Sequence, residues 1–156
     1  MHDSQHRIAL RIQYDGANFA GSQWQKNGPT IQGALELAVA NLTQVSQRVD
    51  FAGRTDAGVH ATGQIVAFNT GRNLPIQRWI YGLNHFLPST VAVQSACQVP
   101  ADFHPRYDAS ERTYHYHMYV AKQRQPIIDR YAWVVRGPLG IDEIRIGLGK
   151  LIGEHD

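Results

Sequence analysis

Between Arg7 and Val99 the apolar residues repeat first with a two-residue period, then with a helical one, and then twice with a two-residue period. A second helical stretch and a last two-residue stretch follow. That succession leaves few folds open. In Arg7 to Tyr14, Ile8, Leu10 and Ile12 share one face of a strand. The sequence Asp15-Gly16 then interrupts it, and Asn27-Gly28-Pro29 is a second break. Thr30 is placed to cap a helix in which Ile31, Ala34, Leu35, Ala38 and Leu42 line one face. Strands are expected over Arg48 to Ala52 and about Thr62 to Asn69. Pro75 suits the first turn of a second helix, with Trp79, Leu83 and Phe86 on its apolar face. Leu87-Pro88 ends that helix, and Val91 to Val99 alternates as a strand.

Strand, helix, strand, strand, helix, strand is the split βαβ, ferredoxin-like arrangement. We therefore expect the α+β class, with one antiparallel sheet and both helices on one of its faces. Beyond Pro100 the pattern restarts. Arg112 to Ala121 and Tyr131 to Val135 read as strands. Asp142 is placed to cap a helix with Ile144, Leu148, Leu151 and Ile152 turned inward. Gly147 and Gly149 each weaken that helix by about 1 kcal/mol. Two strands and a helix form an incomplete second α+β unit, and we expect the natural protein to continue past it; the competing reading is that these elements extend the first sheet of a complete chain. The division is thus a polar tail over residues 1–6, a ferredoxin-like domain over 7–101, and a linker with an incomplete second domain over 102–156.

Chemistry is concentrated in the joint between the second and third strands. Gly53-Arg54-Thr55-Asp56-Ala57-Gly58-Val59-His60 sets one carboxylate between two glycines, with an arginine two residues upstream. The loop is longer than a minimal hairpin needs, and longer loops on a rigid sheet often carry sites. Asp56 is a candidate nucleophile or base, and Arg54 could hold its carboxylate ionised. Asp and Gly also build ordinary tight turns, so a turn residue is the competing reading.

Two other stretches invite comparison with nucleic-acid binders. Tyr114 lies in an alternating aromatic run that could be a platform for a base or simply a sheet face. Phe103, His104, Pro105, Arg106 and Tyr107 mix aromatic and basic groups that could clamp a phosphate backbone or form a packed linker. The formal charge of +2 does not decide between them, although the positive charge comes from twelve arginines and three lysines. Arginine's planar fork suits phosphates and bases. No metal site is expected, since no His, Cys, Asp or Glu set has ligand spacing. The single cysteine, Cys97, leaves no internal disulfide and fits a reducing cytoplasm. No apolar run approaches the roughly 20 residues that span a bilayer.

Taken together, these stretches resemble one family. The octapeptide Gly53 to His60 is similar to the catalytic motif of the tRNA pseudouridine synthase A family. Tyr14 to Gly16, Thr30 to Glu36, Gly63-Gln64, Asn84, Leu87-Pro88, Asp102 to His104, Arg112, Tyr114, Tyr116 and Leu151 to Asp156 look like that family in the same order. The resemblance implies two ferredoxin-like halves with a cleft between them. It implies conversion of uridine to pseudouridine in the tRNA anticodon stem-loop, around positions 38 to 40, by a cytoplasmic homodimer without cofactor. It also implies residue roles. Asp56 is the catalytic aspartate, Arg54 the residue associated with base flipping, and Tyr114 the residue stacked on the target base. Phe103 to Tyr107 are RNA contacts.

The family usually has a tryptophan where Ser22 stands, and we expect a local packing or RNA-contact change, partly offset by Trp24. The resemblance also implies further chain after Asp156, including a basic partner for Asp56. A catalytically silent RNA-binding fragment is therefore the alternative function. An acid-base hydrolase using Asp56 is a weaker third reading, because no second carboxylate partner is evident.

Overall fold

The structure, a computed structural model, describes residues 5–155. Residues 1–4 of the expected tail, and Asp156, lie outside the described residues. The chain forms two compact units, one ending at Arg112 and the other starting at Thr113.

The first unit runs β1 (His6–Tyr14), α1 (Ile31–Thr43), β2 (Asp50–Phe51), β3 (Ala61–Thr70), α2 (Ile76–Phe86) and β4 (Val91–Val99). Its strands form one four-stranded sheet in the order β2-β3-β1-β4, and every neighbouring pair is antiparallel. This is the ferredoxin-like topology expected from the periodicity. One face of the sheet supplies Ile8, Leu10, Ile12, Tyr14, Val66, Phe68, Val91 and Val93 to the core. Ile31, Leu35, Ala38 and Val39 of α1 and Trp79 and Leu83 of α2 close over it. Phe68 and Trp79 meet edge to face, with ring centroids 5.5 Å apart.

Local signals explain the boundaries. The Thr30 side chain accepts the Gly33 N–H at 3.1 Å and starts α1. Pro75 precedes α2 at its N-cap position and makes no side-chain capping bond. Phe86, expected on the apolar face, is instead 42% exposed, while Leu87 just past the helix is buried. The helix has ended there, and the turn toward Pro88 swings the next side chain inward. Asn84 bridges to β4. Its Nδ2 donates to the Val93 carbonyl at 2.9 Å and its Oδ1 accepts the Val93 N–H at 2.7 Å. The β1–β4 register shifts at that level, between Arg11 and Ile12, so Asn84 satisfies backbone groups beside the irregularity.

The second unit contains β5 (Met118–Val120), β6 (Trp133–Val135) and α3 (Ile141–Gly149), with β5 and β6 parallel. The strand expected over Arg112 to Ala121 is thus confined to three residues. Among the described residues only those three have ladder partners, and extended chain without a partner is not a strand. Gly140, not Asp142, occupies the N-cap of α3. Asp142 lies inside the first turn, where a negative charge favours the helix dipole. The expected inward face of α3 does not form. Leu148, Leu151 and Ile152 are exposed, and no described residue from Thr113 onward is buried. No helix among the described residues is long and apolar enough to cross a membrane.

Candidate active site

The loop from Gly53 to His60 joins β2 to β3 at one end of the sheet. It closes in a turn in which the Val59 N–H donates to the Asp56 carbonyl at 3.2 Å. Gly58 has φ +80°, a conformation that a side chain would strain. Asp56 and Arg54 are both exposed. Neither side chain takes part in an ion pair among the described residues. No Arg54–Asp56 ion pair is therefore formed among the described residues, and both groups are open to solvent.

The backbone beneath Asp56 is held closely by residues 14–22. Ser22 is 1% exposed. Its N–H donates to the Thr55 carbonyl at 2.9 Å, and the Thr55 N–H donates to Ser22 Oγ at 2.7 Å. Both backbone groups of the residue before Asp56 are thus engaged. The Tyr14 hydroxyl shares a 2.8 Å hydrogen bond with Thr55 Oγ1. Burial raises the Tyr14 pKa, against the opposing effect of hydrogen bonds to Thr55 and Gln64, so this hydroxyl stays protonated at neutral pH. The Gln64 amide donates to the Gly53 carbonyl. Gly58 N–H reaches the Phe19 carbonyl at 3.3 Å. His60 Nδ1 lies 3.2 Å from the Gly16 N–H and 3.1 Å from Asp15 Oδ1. It accepts from Gly16 when unprotonated and donates to Asp15 when protonated, so the two contacts belong to different states of the ring.

Ser22 is therefore a brace for the loop. Trp24 stays 49% exposed near the start of α1, its N–H bonded to Gln32 Oε1 at 2.8 Å. A Ser22→Ala variant is expected to lose about 1–2 kcal/mol of stability, because the Thr55 N–H loses its acceptor. A urea unfolding midpoint lowered at unchanged slope would show this.

The segment Phe103 to Tyr107 forms a turn at the end of the same unit. The Tyr107 and Asp108 N–H groups both donate to the His104 carbonyl, at 3.1 and 2.9 Å. The His104 N–H donates to Asp108 Oδ2 at 2.7 Å. The His104 and Tyr107 rings lie 4.4 Å apart, and the Arg106 guanidinium sits 6.0 Å from the Tyr107 ring centre. Pro105 is buried, and Phe103 and His104 are half-buried. Arg106 and Tyr107 are exposed, Tyr107 by 76%. The turn thus has a packed base and an exposed cationic-aromatic rim. Tyr114 belongs to the second unit, in the stretch before β5, and is 64% exposed.

The loop and the turn both lie within the residues that match a known family. The family described as tRNA pseudouridine synthase matches residues 11–108, more than half of the chain. The chain belongs to the tRNA pseudouridine synthase family. The tRNA pseudouridine synthase A of Burkholderia thailandensis is 50% identical over 150 residues, which is 96% of this chain and 56% of that relative. The proteins of the same name from Burkholderia lata and Burkholderia multivorans are each 49% identical over the same lengths. The chain thus spans about half the length of these curated relatives.

Within this family member, several residues that position the loop carry no catalytic signature in sequence. Tyr14 and Gln64 stand in family-like stretches, and the sequence gives no sign that their side chains converge on the loop. Ser22 was visible only as a departure from the usual tryptophan. Arg112 was visible as part of an Arg-x-Tyr pattern, yet it bonds to the backbone of both the loop root and the turn.

Proposed function

We propose that the protein is a tRNA pseudouridine synthase acting on uridine of the anticodon stem-loop, around positions 38 to 40, with Asp56 as its catalytic residue. The observation that carries this reading is the setting of Asp56. An exposed carboxylate stands on a loop whose preceding residue is hydrogen-bonded through N–H, C=O and side chain. Such a site leaves the acid open to substrate while fixing its position.

The reaction breaks the C1′–N1 bond of uridine and joins C1′ to C5 of the same uracil, with the C5 proton released to solvent. Asp56 serves either as nucleophile at C1′ or as base toward the C2′ proton. The target base first leaves the helical stack, at a cost of a few kcal/mol. Arg54 fills the vacated space, and Tyr114 stacks on the freed uracil and lets it turn. Phe103, His104, Pro105, Arg106 and Tyr107 hold the RNA backbone, with Arg106 and Tyr107 on the exposed rim. The chemistry needs no cofactor, and the working protein is a cytoplasmic homodimer.

The test is tritium release from tRNA carrying C5-tritiated uridine. Release without free uracil supports the synthase. Free uracil would point to a hydrolase, and a gel shift of tRNA without turnover would point to an RNA-binding module.

A further inference from the structure

Arg112 is the last residue of the first unit, and its guanidinium joins two backbone segments far apart in sequence. Its Nε and Nη2 both donate to the Ala52 carbonyl, at 3.0 and 2.9 Å. The same Nη2 donates to the Arg106 carbonyl at 2.7 Å. Ala52 is buried, follows β2 directly and is itself held to β3, its N–H donating to the Ile65 carbonyl at 2.9 Å. It is the fixed root from which the Asp56 loop departs. Arg106 is the exposed cation of the aromatic-basic turn.

A second arginine fixes the other end of that turn. Arg7 is 7% exposed, and its Nε donates to the Phe103 carbonyl at 2.5 Å. Its other nitrogens reach Asn69 Oδ1 at 3.0 Å and Asp50 Oδ2 at 2.7 Å. Arg7 thus secures the turn to β1, β2 and β3. Arg112 does something different, because both of its acceptors are backbone carbonyls: one is the root of the loop and one lies within the turn. Guanidinium geometry allows this, since its donors diverge in one plane, whereas an ammonium is a single point.

We propose that Arg112 is a positioning residue that couples the RNA-contacting turn to the Asp56 loop, so that tRNA held at Phe103 to Tyr107 fixes the catalytic carboxylate. This rests on the reading of Asp56 and the turn given above. Arg112 contacts backbone only, so it is assigned no role in touching the reacting atoms.

The test compares Arg112→Ala, Arg112→Lys and the control Arg106→Ala, which keeps the accepting carbonyl. Two measurements are made on each full chain: hydrogen exchange with mass spectrometry, and single-turnover tritium release with tRNA affinity. Arg112→Ala is expected to accelerate exchange in peptides covering both Gly53–Ala57 and Phe103–Tyr107. It should lower the rate at saturating tRNA ~10–100-fold, as displacement of a catalytic group does, with tRNA affinity little changed. Arg112→Lys should keep part of the rate. Arg106→Ala should weaken affinity and leave the Gly53–Ala57 peptide unaltered. Weaker affinity with an unchanged saturating rate in Arg112→Ala would make Arg112 an RNA contact and overturn the proposal. Unchanged exchange in the loop peptide would overturn it as well. If the unsubstituted protein releases no tritium, the synthase reading fails, while the exchange pattern still decides whether Arg112 joins the two segments.

Discussion

Replacing Asp56 with asparagine is expected to lower tritium release from C5-tritiated uridine in tRNA by ~10³-fold or more, in the range of a lost catalytic base or nucleophile. Asparagine keeps the shape and removes the charge. Both routes open to Asp56 need the ionised form, since an amide neither attacks C1′ nor accepts the C2′ proton. Folding should be almost untouched. Asp56 is exposed and joins no ion pair among the described residues, so the change should stay within about 0.5 kcal/mol, as surface substitutions do. A protein with wild-type unfolding and no release would separate chemistry from stability. Release at the wild-type rate would remove Asp56 from the mechanism.

The setting of Asp56 also shows what a linear reading can reach. Periodicity was enough to order the six elements of the first unit, because each strand and helix buries one face against a common core. The Thr30 cap was legible because its contact spans three residues. The braces of the loop were not. Ser22 and Thr55 lie 33 positions apart, Tyr14 and Thr55 41, and Arg112 and Ala52 60. Their contacts exist only once the sheet order has brought the end of β1 beside the joint of β2 and β3. An Arg54–Asp56 ion pair, which the sequence allows, is not formed among the described residues for the opposite reason. Nearness in sequence places two side chains within reach, yet in an exposed loop water competes for both.

The second unit went further astray. Alternating aromatics from Tyr114 to Met118 have the pattern of a strand, but pattern supplies side-chain alternation and not a partner. In that stretch only Met118 to Val120 gain a partner strand, and Leu148, Leu151 and Ile152, expected to face inward, are exposed. A helical stripe becomes a core only when another apolar surface covers it.

Gly16→Ala is expected to be the most damaging small substitution in the first unit. A methyl group at Gly16 would lie 1.9 Å from the Val59 carbonyl oxygen and 2.7 Å from its carbon. No flexible side chain is there to yield, so backbone must move. The Val59 carbonyl follows a turn that is fixed at Asp56 and by the Gly58 N–H bonded to Phe19. On the other side, Asp15 N–H is bonded to the Thr90 carbonyl at 2.9 Å, and Gly16 N–H faces His60 Nδ1. Relief therefore requires the Asp56 loop to withdraw from residues 14–22. The expected loss is about 1–3 kcal/mol, the usual cost of overpacking, with a larger loss of activity than the stability change explains. Equilibrium unfolding together with tritium release well below the midpoint would measure both. Gly28→Ala is the comparison, since a methyl group there meets only the Ala20 side chain, at 3.2 Å. Equal stability and equal release in the Gly16 and Gly28 variants would mean that the close approach of Gly16 to Val59 does not hold the loop.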